Sequence, residues 1–423
     1  MKRILLFLIS IHASTCATSL TIGEAIAAAK KHRPNLQALE YKIREEQLKV
    51  KEAWTGYLPK LQLVSSLEVA SKQGVDLSSG FGSGLNAGVQ GQQLIYQFGG
   101  PQQQAKIAQA NVGVAQYDKA TQEQAVAYEV TKTFIDCWVL QQQQDLITQL
   151  DASSKRTFGR SKQERDVKLL DKQDFLNSVE TRTLANEQVV NFQEDASLAQ
   201  AQLVFLLGTN HGINLVDQGA GNPTTLVFSP ISLDTNDREA VKTFVAKALK
   251  NRSELKSFDK KIEAERHTAT QAKLSNAPSI SLTGNSMRAG RSNSGQFAGG
   301  ISFSWPVFDG TRSRYLEQEA DARATAAMLQ KEQAAQQIIL EVNQAYFSYN
   351  KSLNGQQTRR ITMKRAESLF NRREQDHKLG LITQTTLEEA RYGLLQAKNN
   401  WLLAQADVAQ KEALLQYRCG EIS

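Results

Sequence analysis

The chain has 423 residues, of which 41% are hydrophobic and 22% charged, and it contains seven prolines and three cysteines. A mean hydropathy of −0.41 excludes a bundle of membrane-spanning helices. So few prolines and cysteines exclude a proline-rich disordered chain and a fold built on disulfides. The formal charge of +7 comes from basic residues spread among acidic ones, so no nucleic-acid partner is expected.

The N-terminus is predicted to be a secretory signal peptide over residues 1–17. Two basic residues precede an apolar run over Ile4–Ile11, and small residues follow up to a cleavage site expected after Ala17. The apolar run is too short to span a bilayer as a helix. Cys16 stands where a lipid-acceptor cysteine could be, but no large aliphatic residue precedes it as is usual at such sites. The sequence therefore predicts an exported protein.

Two proline-free stretches, 102–222 and 307–423, predict long helices. Both are rich in good helix formers, whereas a proline inside a helix costs about 3 kcal/mol. The helix from Pro101 to a turn near Val167, and the helix from Thr311 to Leu379, would each be about 100 Å long. A helix of this length in water needs a partner along its length, so the helices should form a coiled-coil-like bundle or barrel.

Glycine-rich segments between the helices predict β-strands. Apolar residues alternate with small or polar ones over Leu61–Val69, Leu85–Gln90, Ile280–Asn285 and Phe297–Trp305. Lengths of about ten residues match transmembrane β-strands, although a soluble two-sided sheet is the alternative. The candidate membrane aromatic belt consists of Tyr96, Phe303, Trp305 and Phe308.

The turns that end the long helices have recognisable capping residues. Gly380 is expected to adopt the left-handed conformation after the second long helix. Thr385-Thr386-Leu387-Glu388 is predicted to be a capping box that opens the return helix. In the first turn Lys168 stands in place of the glycine, and Asp171 is the expected N-cap.

The two halves of the chain repeat each other. At an offset of 219 Arg33 aligns with Arg252, and at 212 Glu129 aligns with Glu341 and Gly208 with Gly420. Internal duplication predicts that each half contains a helix, two strands, a very long helix and a returning helix. The predicted segments after the signal peptide are a first repeat at 18–208, an equatorial linker at 209–236, a second repeat at 237–420 and a C-terminal end at 421–423.

The predicted fold is mostly α with a small transmembrane β part. Four strands per chain cannot close a barrel in lipid, because about eight is the minimum and open edges are not tolerated there. Three copies would supply twelve strands and room for a pore. We therefore expect a homotrimer in which long coiled-coil helices form an α-barrel continued by a twelve-stranded β-barrel.

Together these features resemble the TolC-like outer-membrane efflux protein family, also called outer membrane factors. The resemblance covers about residues 20–420 and rests on short segments in order, namely Leu20–Ala25, Tyr57–Pro59, Trp305–Gly310, Leu206–Gly208 and Leu379–Thr383. It implies a homotrimeric duct in the outer membrane of a Gram-negative-type cell, contacting membrane lipid, with its helical part in the periplasm. The duct would pass substrates from a periplasmic adaptor (membrane fusion) protein and an inner-membrane pump of RND, ABC or MFS type, in efflux or type I secretion.

The resemblance also implies two sets of functional residues at the helix tips. The adaptor-docking set comprises Leu169, Gly380, Leu381 and Thr383. The pore constriction, which is acidic in the family, comprises Glu389, Asp174 and Thr386. The tyrosine and arginine that tie the closed tip in the best-known members are matched here by His377 and Ile382.

Two other classes of function are alternatives to a duct. A structural coiled-coil protein of the envelope explains the long helices but not four amphipathic strands in register with a duplication. An enzyme is not expected, because the sequence has no metal-spaced pair, nucleophile elbow or phosphate loop, and no cofactor is implied. The histidines considered as ligands are scattered, at His32, His211, His267 and His377. The exported substrate is left open among drugs, metals, siderophores and proteins.

Overall fold

A computed structural model of the chain describes residues 19–70, 82–167, 171–208, 214–215, 238–289 and 295–422. The predicted signal peptide with Cys16 lies outside these ranges, as do Lys168, Leu169 and all of the predicted linker except residues 214–215. The chain forms two compact units. Unit 1 takes its residues from Met1–Gln37, Thr121–Arg252 and Gln337–Ser423, and unit 2 from Ala38–Ala120 and Ser253–Gln336.

Long helices dominate the described residues. They are α1 (Ile22–His32), α2 (Pro34–Thr55), α3 (Pro101–Asp166), α4 (Lys172–Leu207), α5 (Arg238–Asn251), α6 (Ser253–Lys273), α7 (Arg312–Lys378) and α8 (Gln384–Arg418). With 66 residues in α3 and 67 in α7, both helices have the predicted length of about 100 Å.

In the part of the chain that the structure describes, no helix is long and apolar enough to cross a membrane.

The strands form two sheets. They are β1 (Ser19–Leu20), β2 (Lys60–Ala70), β3 (Gly82–Gln97), β4 (Asn214–Leu215), β5 (Ser279–Ala289) and β6 (Gly295–Ser304). The four long strands form an antiparallel sheet in the order β2-β3-β5-β6, whereas β1 and β4 form a short parallel pair. The predicted fold class, mostly helical with a small β part, is confirmed.

The order of elements occurs twice, with one helix more per half than predicted. Where one helix was expected before each strand pair, the structure has two, broken at Arg33 and at Arg252. The backbone N–H of each arginine still donates to the helix before it, at 3.0 Å to Ala29 and 2.9 Å to Ala248. Pro34 explains the first break, because a residue before proline is driven out of the helical region, and Arg33 is extended with ψ 116°.

In unit 1 the core lies between α3 and α8, with α4 packed against both near the tips. The main cluster contains Ala127, Ile135, Trp138, Val139, Leu402, Ala406, Ala409, Ala413 and Ile422. A second cluster joins Ile147, Leu150 and Leu395, with Val189 and Phe192 of α4 against it. Cys137 and Cys419 are buried free thiols, and burial raises the pKa of each to about 12. They therefore serve as small apolar packing groups.

In unit 2 the four-stranded sheet has one apolar and one polar face. The residues of the apolar face include Leu61, Leu63, Val89, Leu282, Phe297, Ile301 and Phe303. Leu63 is 87% exposed and Phe297 is 84% exposed in the protomer. The opposite face carries polar pairs, such as Gln62 donating to Gln90 at 3.4 Å. The period-two alternation expected from the sequence is therefore confirmed.

Candidate functional site

The turn between α7 and α8 is built by Gly380, which has φ 71° as predicted. Its N–H donates to the His377 carbonyl at 2.9 Å, and the N–H of Leu381 donates to the Asp376 carbonyl at 2.9 Å. These two bonds make a Schellman motif, which satisfies the last carbonyls of α7. Because the chain reverses here, Leu379 and Leu381 project into solvent as exposed apolar side chains.

The N-cap of α8 is Thr383, so the predicted capping box beginning at Thr385 is wrong. The Thr383 hydroxyl accepts from the Thr386 N–H at 3.3 Å and also contacts the Thr386 hydroxyl at 3.0 Å. Thr385 already lies inside the helix and donates to Glu164 of α3 at 3.2 Å. From the sequence, either Thr383 or Thr385 could be the N-cap. The Schellman motif at Gly380 and Leu381 is followed by Thr383 in the extended conformation that an N-cap residue requires, so Thr383 is the cap.

The turn between α3 and α4 is the corresponding tip of the first half. Asp171 is the N-cap of α4 as predicted, and its carboxylate accepts from the Gln173 N–H at 3.4 Å. Leu169, predicted to contact an adaptor, lies outside the described residues. Beside the turn the Arg165 guanidinium lies 4.1 Å from the centre of the Phe175 ring, which holds the end of α3 against α4.

Asp174 and Glu389, predicted from separate halves, lie close together within the protomer. Both side chains are solvent-exposed, and each lies in the first two turns of its helix. Partial desolvation and then the nearby Asp174 carboxylate raise the pKa of Glu389 above its ordinary value. Thr386, the third residue of this predicted set, lies one turn earlier in the α8 cap. Asp174 of one tip and Glu389 of the other therefore form a single cluster of negative charge, which we call the acidic patch.

Glu388, predicted from the sequence only as part of a capping box, is buried and faces α3. Its carboxylate accepts from the Ser153 hydroxyl at 3.1 Å and from Arg156 at 3.4 Å. The two adjacent glutamates thus have different environments, since Glu388 lies in the helix interface and Glu389 in the acidic patch. A signal for this existed in the sequence, because Glu388 precedes the buried Leu395 by one heptad.

A polar network that sequence reasoning missed joins α3 to α4 above the tips. Asp151 of α3 accepts from Lys155 at 2.6 Å and from Arg182 of α4 at 2.6 Å. The hydrogen bond from Lys155, followed by that from Arg182, holds the pKa of Asp151 below its usual range. The Arg182 guanidinium also donates to Ser154 at 3.1 Å. The hydrogen bonds from Arg182 hold α4 against α3 and so help to position Asp174 at the start of α4.

The predicted aromatic belt lies at one end of the four-stranded sheet in unit 2. Tyr96 stands opposite Ile280, which in turn stands opposite Phe303. A β-bulge at Ile95 brings Tyr96 into this row, because the extra residue shifts the alternation of β3 by one position. Trp305 and Phe308 follow directly after β6, and all four aromatic side chains are exposed.

The described histidines, His32, His267 and His377, are not assembled into a site, and His211 lies outside the described residues. His267 lies 4.0 Å from Glu263 on its own helix, and the His377 ring lies 3.4 Å from the Ile382 carbonyl. His377 and Ile382, which match the tyrosine and arginine that tie the closed tip in the family, therefore contact each other, but through the backbone carbonyl of Ile382. Within the described ranges no group of His, Cys, Asp and Glu side chains could hold a metal ion.

Three solved structures illustrate the fold. CusC, described as forming a transmembrane channel, has a TM-score of 0.77 at 14% identity over 96% of this chain and 93% of its own. The CmeC outer membrane channel of Campylobacter jejuni has a TM-score of 0.73 at 14% identity over 95% and 85%. The open state of the MtrE outer membrane channel of Neisseria gonorrhoeae has a TM-score of 0.74 at 15% identity over 94% and 88%. At these identities the likeness shows the fold alone.

Comparison with curated proteins by sequence finds no match. The family model described as outer membrane efflux protein matches residues 25–209 and 244–421. The two matched blocks cover most of the chain and include both long helices, both tips and all four strands of the larger sheet. The chain therefore belongs to the outer membrane efflux protein family.

Proposed function

We propose that the protein is the outer-membrane duct of a tripartite efflux or type I secretion system. Three copies would pass substrates from a periplasmic adaptor and an inner-membrane pump to the exterior, without chemistry of their own. The observation that carries the proposal is the four-stranded sheet with an exposed apolar face and two outer strand edges. Residues 18–208 and 237–420 would be its two repeats, each supplying one strand pair and one helical tip.

The open edges of the sheet support a trimer. In the described residues β2 and β6 each pair with one neighbour only, so the outer edge of each has unpaired backbone groups. Unpaired backbone groups are not tolerated in lipid, where each costs several kcal/mol. Pairing β6 of one copy with β2 of the next removes every edge, and twelve strands from three copies leave a lumen.

The apolar face and the aromatic row support insertion into a membrane. Large side chains such as Leu63 and Phe297 have almost no contact within the protomer, which is unfavourable in water. Lipid would cover them, and the exposed row at the sheet end, with Tyr96 and Phe303, would lie at the membrane interface.

The two tips support contact with an adaptor and control of passage. We assign adaptor docking to Gly380, Leu381 and Thr383, because the turn between α7 and α8 presents exposed apolar side chains on a rigid cap. Leu169 is assigned to the same role only by the resemblance, since it lies outside the described residues. We assign the constriction to Glu389, Asp174 and Thr386. Threefold repetition of the acidic patch would place six carboxylates around one axis and favour cations.

The test uses the full-length mature protein, purified from membranes in detergent and reconstituted in planar bilayers. We expect a trimer by analytical ultracentrifugation and stepwise ionic conductance. Phe297→Asp combined with Ile301→Asp on the apolar face should abolish insertion. Asn285→Asp, on the polar face, is the matched control and should leave both trimer and conductance intact. A folded trimer without conductance would instead favour a structural envelope protein, and a stable monomer in the membrane would contradict the duct.

A further inference from the structure

A polar groove lies between α2 and α3 in unit 2, next to the four-stranded sheet. Its volume of about 620 Å³ is in the range of small-molecule sites. Among the described residues that line it, Ile107 is the one large aliphatic residue. Polar residues predominate, and they include Glu46, Glu52, Lys60, Gln97, Gln104 and Asn111. The groove therefore suits a polar molecule better than an apolar one.

The packing of α2 against α3 shapes the groove. A Cβ at Gly56, just after α2, would lie 2.7 Å from Pro101 at the start of α3, so the glycine allows the two helices to meet at this end. Ala53 and Ala108 line the groove as buried residues, and their small side chains leave space above them. All of the lining residues belong to unit 2, so one protomer forms the groove by itself.

The helical end of the groove carries a carboxylate oxygen that lacks a donor. Lys49 donates to Glu46 Oε1 at 2.9 Å and to Glu45 at 2.8 Å, so two carboxylates share one ammonium group. The other oxygen of Glu46, Oε2, is shielded from solvent and accepts no hydrogen bond from the described residues. A buried acceptor without a donor is unfavourable because its desolvation is not compensated. This end therefore favours a ligand that brings an N–H donor and a positive charge.

The sheet end of the groove carries a positive charge. Lys60 is the first residue of β2, and its exposed side chain forms no ion pair with another described residue. It lies two residues before Gln62, on the polar face of the sheet. Gln97, which also lines this end, pairs with Ser279 on the same face. The groove therefore opens beside the polar face of the sheet.

The two ends are far enough apart for one elongated molecule to bridge them. Glu46 lies about 14 Å before the end of α2 at Thr55, and Lys60 lies beyond that end. This separation exceeds the Debye length of about 8 Å at physiological ionic strength, so the two charges hardly neutralise each other. Between them, Glu52 and the Gln104 amide offer hydrogen bonds to the body of a ligand. The groove thus favours a positive charge at one end of the ligand and a negative charge at the other.

We propose that this groove binds an elongated amphoteric molecule, such as a short peptide, with its ammonium group on Glu46 and its carboxylate at Lys60. The inference rests on the proposed duct and names a class of substrate that the duct would hold on its way out. In the proposed barrel the polar face of the sheet would face the lumen, so three grooves would open onto the path of the substrate. A molecule charged at one end only would satisfy one end of the groove and leave the other unpaired.

Calorimetric titration of the full-length mature protein in detergent with pentaglycine tests the binding. This peptide carries only its two terminal charges and is about 17 Å long when extended. We expect saturable binding at one site per copy. N-acetyl-pentaglycine lacks the ammonium group and should bind about tenfold more weakly, since Glu46 is shielded from water. Pentaglycine amide lacks the carboxylate and should bind about threefold more weakly, since Lys60 is exposed.

Substitutions assign each end of the peptide to its residue. Glu46→Gln should weaken the binding of pentaglycine about tenfold and leave that of N-acetyl-pentaglycine unchanged, because the acetylated peptide already lacks the pair that is lost. Lys60→Gln should weaken the binding of pentaglycine about threefold and leave that of the amide unchanged. Glu45→Gln is the matched control, since Glu45 accepts from the same Lys49 without lining the groove, and all three peptides should bind it as they bind the native chain.

The outcomes separate this inference from the duct. A conducting trimer that shows no saturable binding, or that binds the three peptides equally well, overturns the groove as a binding site and leaves the duct intact. The same holds if Glu46→Gln weakens N-acetyl-pentaglycine as much as pentaglycine, or if Glu45→Gln weakens either. If Glu46→Gln fails to assemble, the three peptides on the native chain and Lys60→Gln still decide. Binding in the expected pattern to a protein without conductance would contradict the duct and keep the groove as a binding site.

Discussion

Arg252 donates to the Glu341 carboxylate at 3.4 Å and so ties the break between α5 and α6 to the long helix α7. In the other half Arg33 forms an ion pair with Glu129 and ties the break between α1 and α2 to α3. The repeat alignment of the sequence pairs these arginines with each other and these glutamates with each other. An ion pair and the helix break beside it therefore occur at the same place in both halves of the chain.

The two ion pairs should differ in their contribution to stability. The Arg252 side chain is 6% exposed and that of Glu341 18%, whereas Arg33 is 15% and Glu129 54% exposed. Arg252→Met should lower the free energy of unfolding by about 2–3 kcal/mol, because it removes a buried charged donor. Arg33→Met should cost about 1 kcal/mol or less, as for exposed pairs. Urea denaturation followed by circular dichroism measures both, and equal losses would contradict this ranking.

The left-handed glycines should also differ. Gly380 and Gly420 both have φ 71°, yet a Cβ at Gly380 would meet nothing, while at Gly420 it would lie 3.3 Å from Asn251. Gly380→Ala should therefore cost only the backbone term, about 1 kcal/mol, and Gly420→Ala more. Thermal unfolding in detergent compares them.

Gly355 provides the control for these two variants. It lies within α7, and an added Cβ there has open space and no left-handed strain. Gly355→Ala should stabilise the protein by about 0.5–1 kcal/mol, because alanine is the better helix former. If all three substitutions shifted the melting temperature in the same direction, the conformational account of the turns would fail.

The long elements were predictable from the sequence because their signals extend over many residues. Long proline-free runs contain α3 (after its first residue, Pro101) and α7. Strict alternation of apolar with small or polar residues marks β6 from Phe297 onward. What the sequence could not show depends on single residues in a tertiary setting. The break at Arg252 has no proline after it, and the bulge at Ile95 is visible only once β3 pairs with β5.

The candidate site was predictable only in part for a related reason. The resemblance indicates Glu389 and Asp174 separately, and their proximity follows from the packing of α4 beside α8. The same packing makes Glu388 a buried acceptor, although it adjoins Glu389 in sequence. The two adjacent carboxylates differ by about 100° of helix rotation, and the choice between Thr383 and Thr385 moves the start of α8 by two residues. Local patterns determine neither.

Aspartate substitutions distinguish the two threonines. Thr383→Asp should be tolerated, because aspartate is a good N-cap and its charge is favourable at a helix N-terminus. Thr385→Asp should destabilise the tip, since it places a carboxylate where the hydroxyl now donates to Glu164 at 3.2 Å. Limited proteolysis at the α7–α8 turn reports on the tip. Faster cleavage of the Thr383 variant than of the Thr385 variant would restore Thr385 as the cap.

Deletion of Ile95 should leave membrane assembly intact. Leu94 stands opposite Ser281 and Tyr96 opposite Ile280, so Ile95 is the extra residue of the bulge, and its removal lets Tyr96 follow Leu94 in a regular ladder on the same face. We expect an amount of heat-resistant trimer in outer-membrane fractions close to that of the native chain. Tyr96→Asp, which places a charge on the apolar face at the same pairing, is the matched variant and should lose the trimer. Loss of the trimer on deletion of Ile95 would show that the bulge itself is required.

The acidic patch of Asp174 and Glu389 should determine the ion selectivity of the channel and its dependence on pH. Desolvation and Asp174 raise the pKa of Glu389, so this carboxyl becomes protonated at a higher pH than an ordinary glutamate. If threefold symmetry places it around the pore, like-charge repulsion raises the pKa further. Planar bilayers under a salt gradient should show a cation preference at neutral pH that declines on acidification, with a midpoint above the ordinary value of 4.5.

Variants separate the contributions to this behaviour. Asp174→Asn should move the midpoint downward, because it removes a negative neighbour, and Glu389→Gln should weaken the cation preference at neutral pH and flatten its pH dependence. Since the pKa of Glu389 is raised on folding, its ionisation destabilises the protein above that pKa and has no effect below the unfolded value. Glu389→Gln should therefore be more stable than the native chain at neutral pH, and the difference should vanish near pH 4. Glu367→Gln, on an exposed part of α7, is the control. Reversal potentials that ignore both substitutions would place the two carboxylates outside the pore.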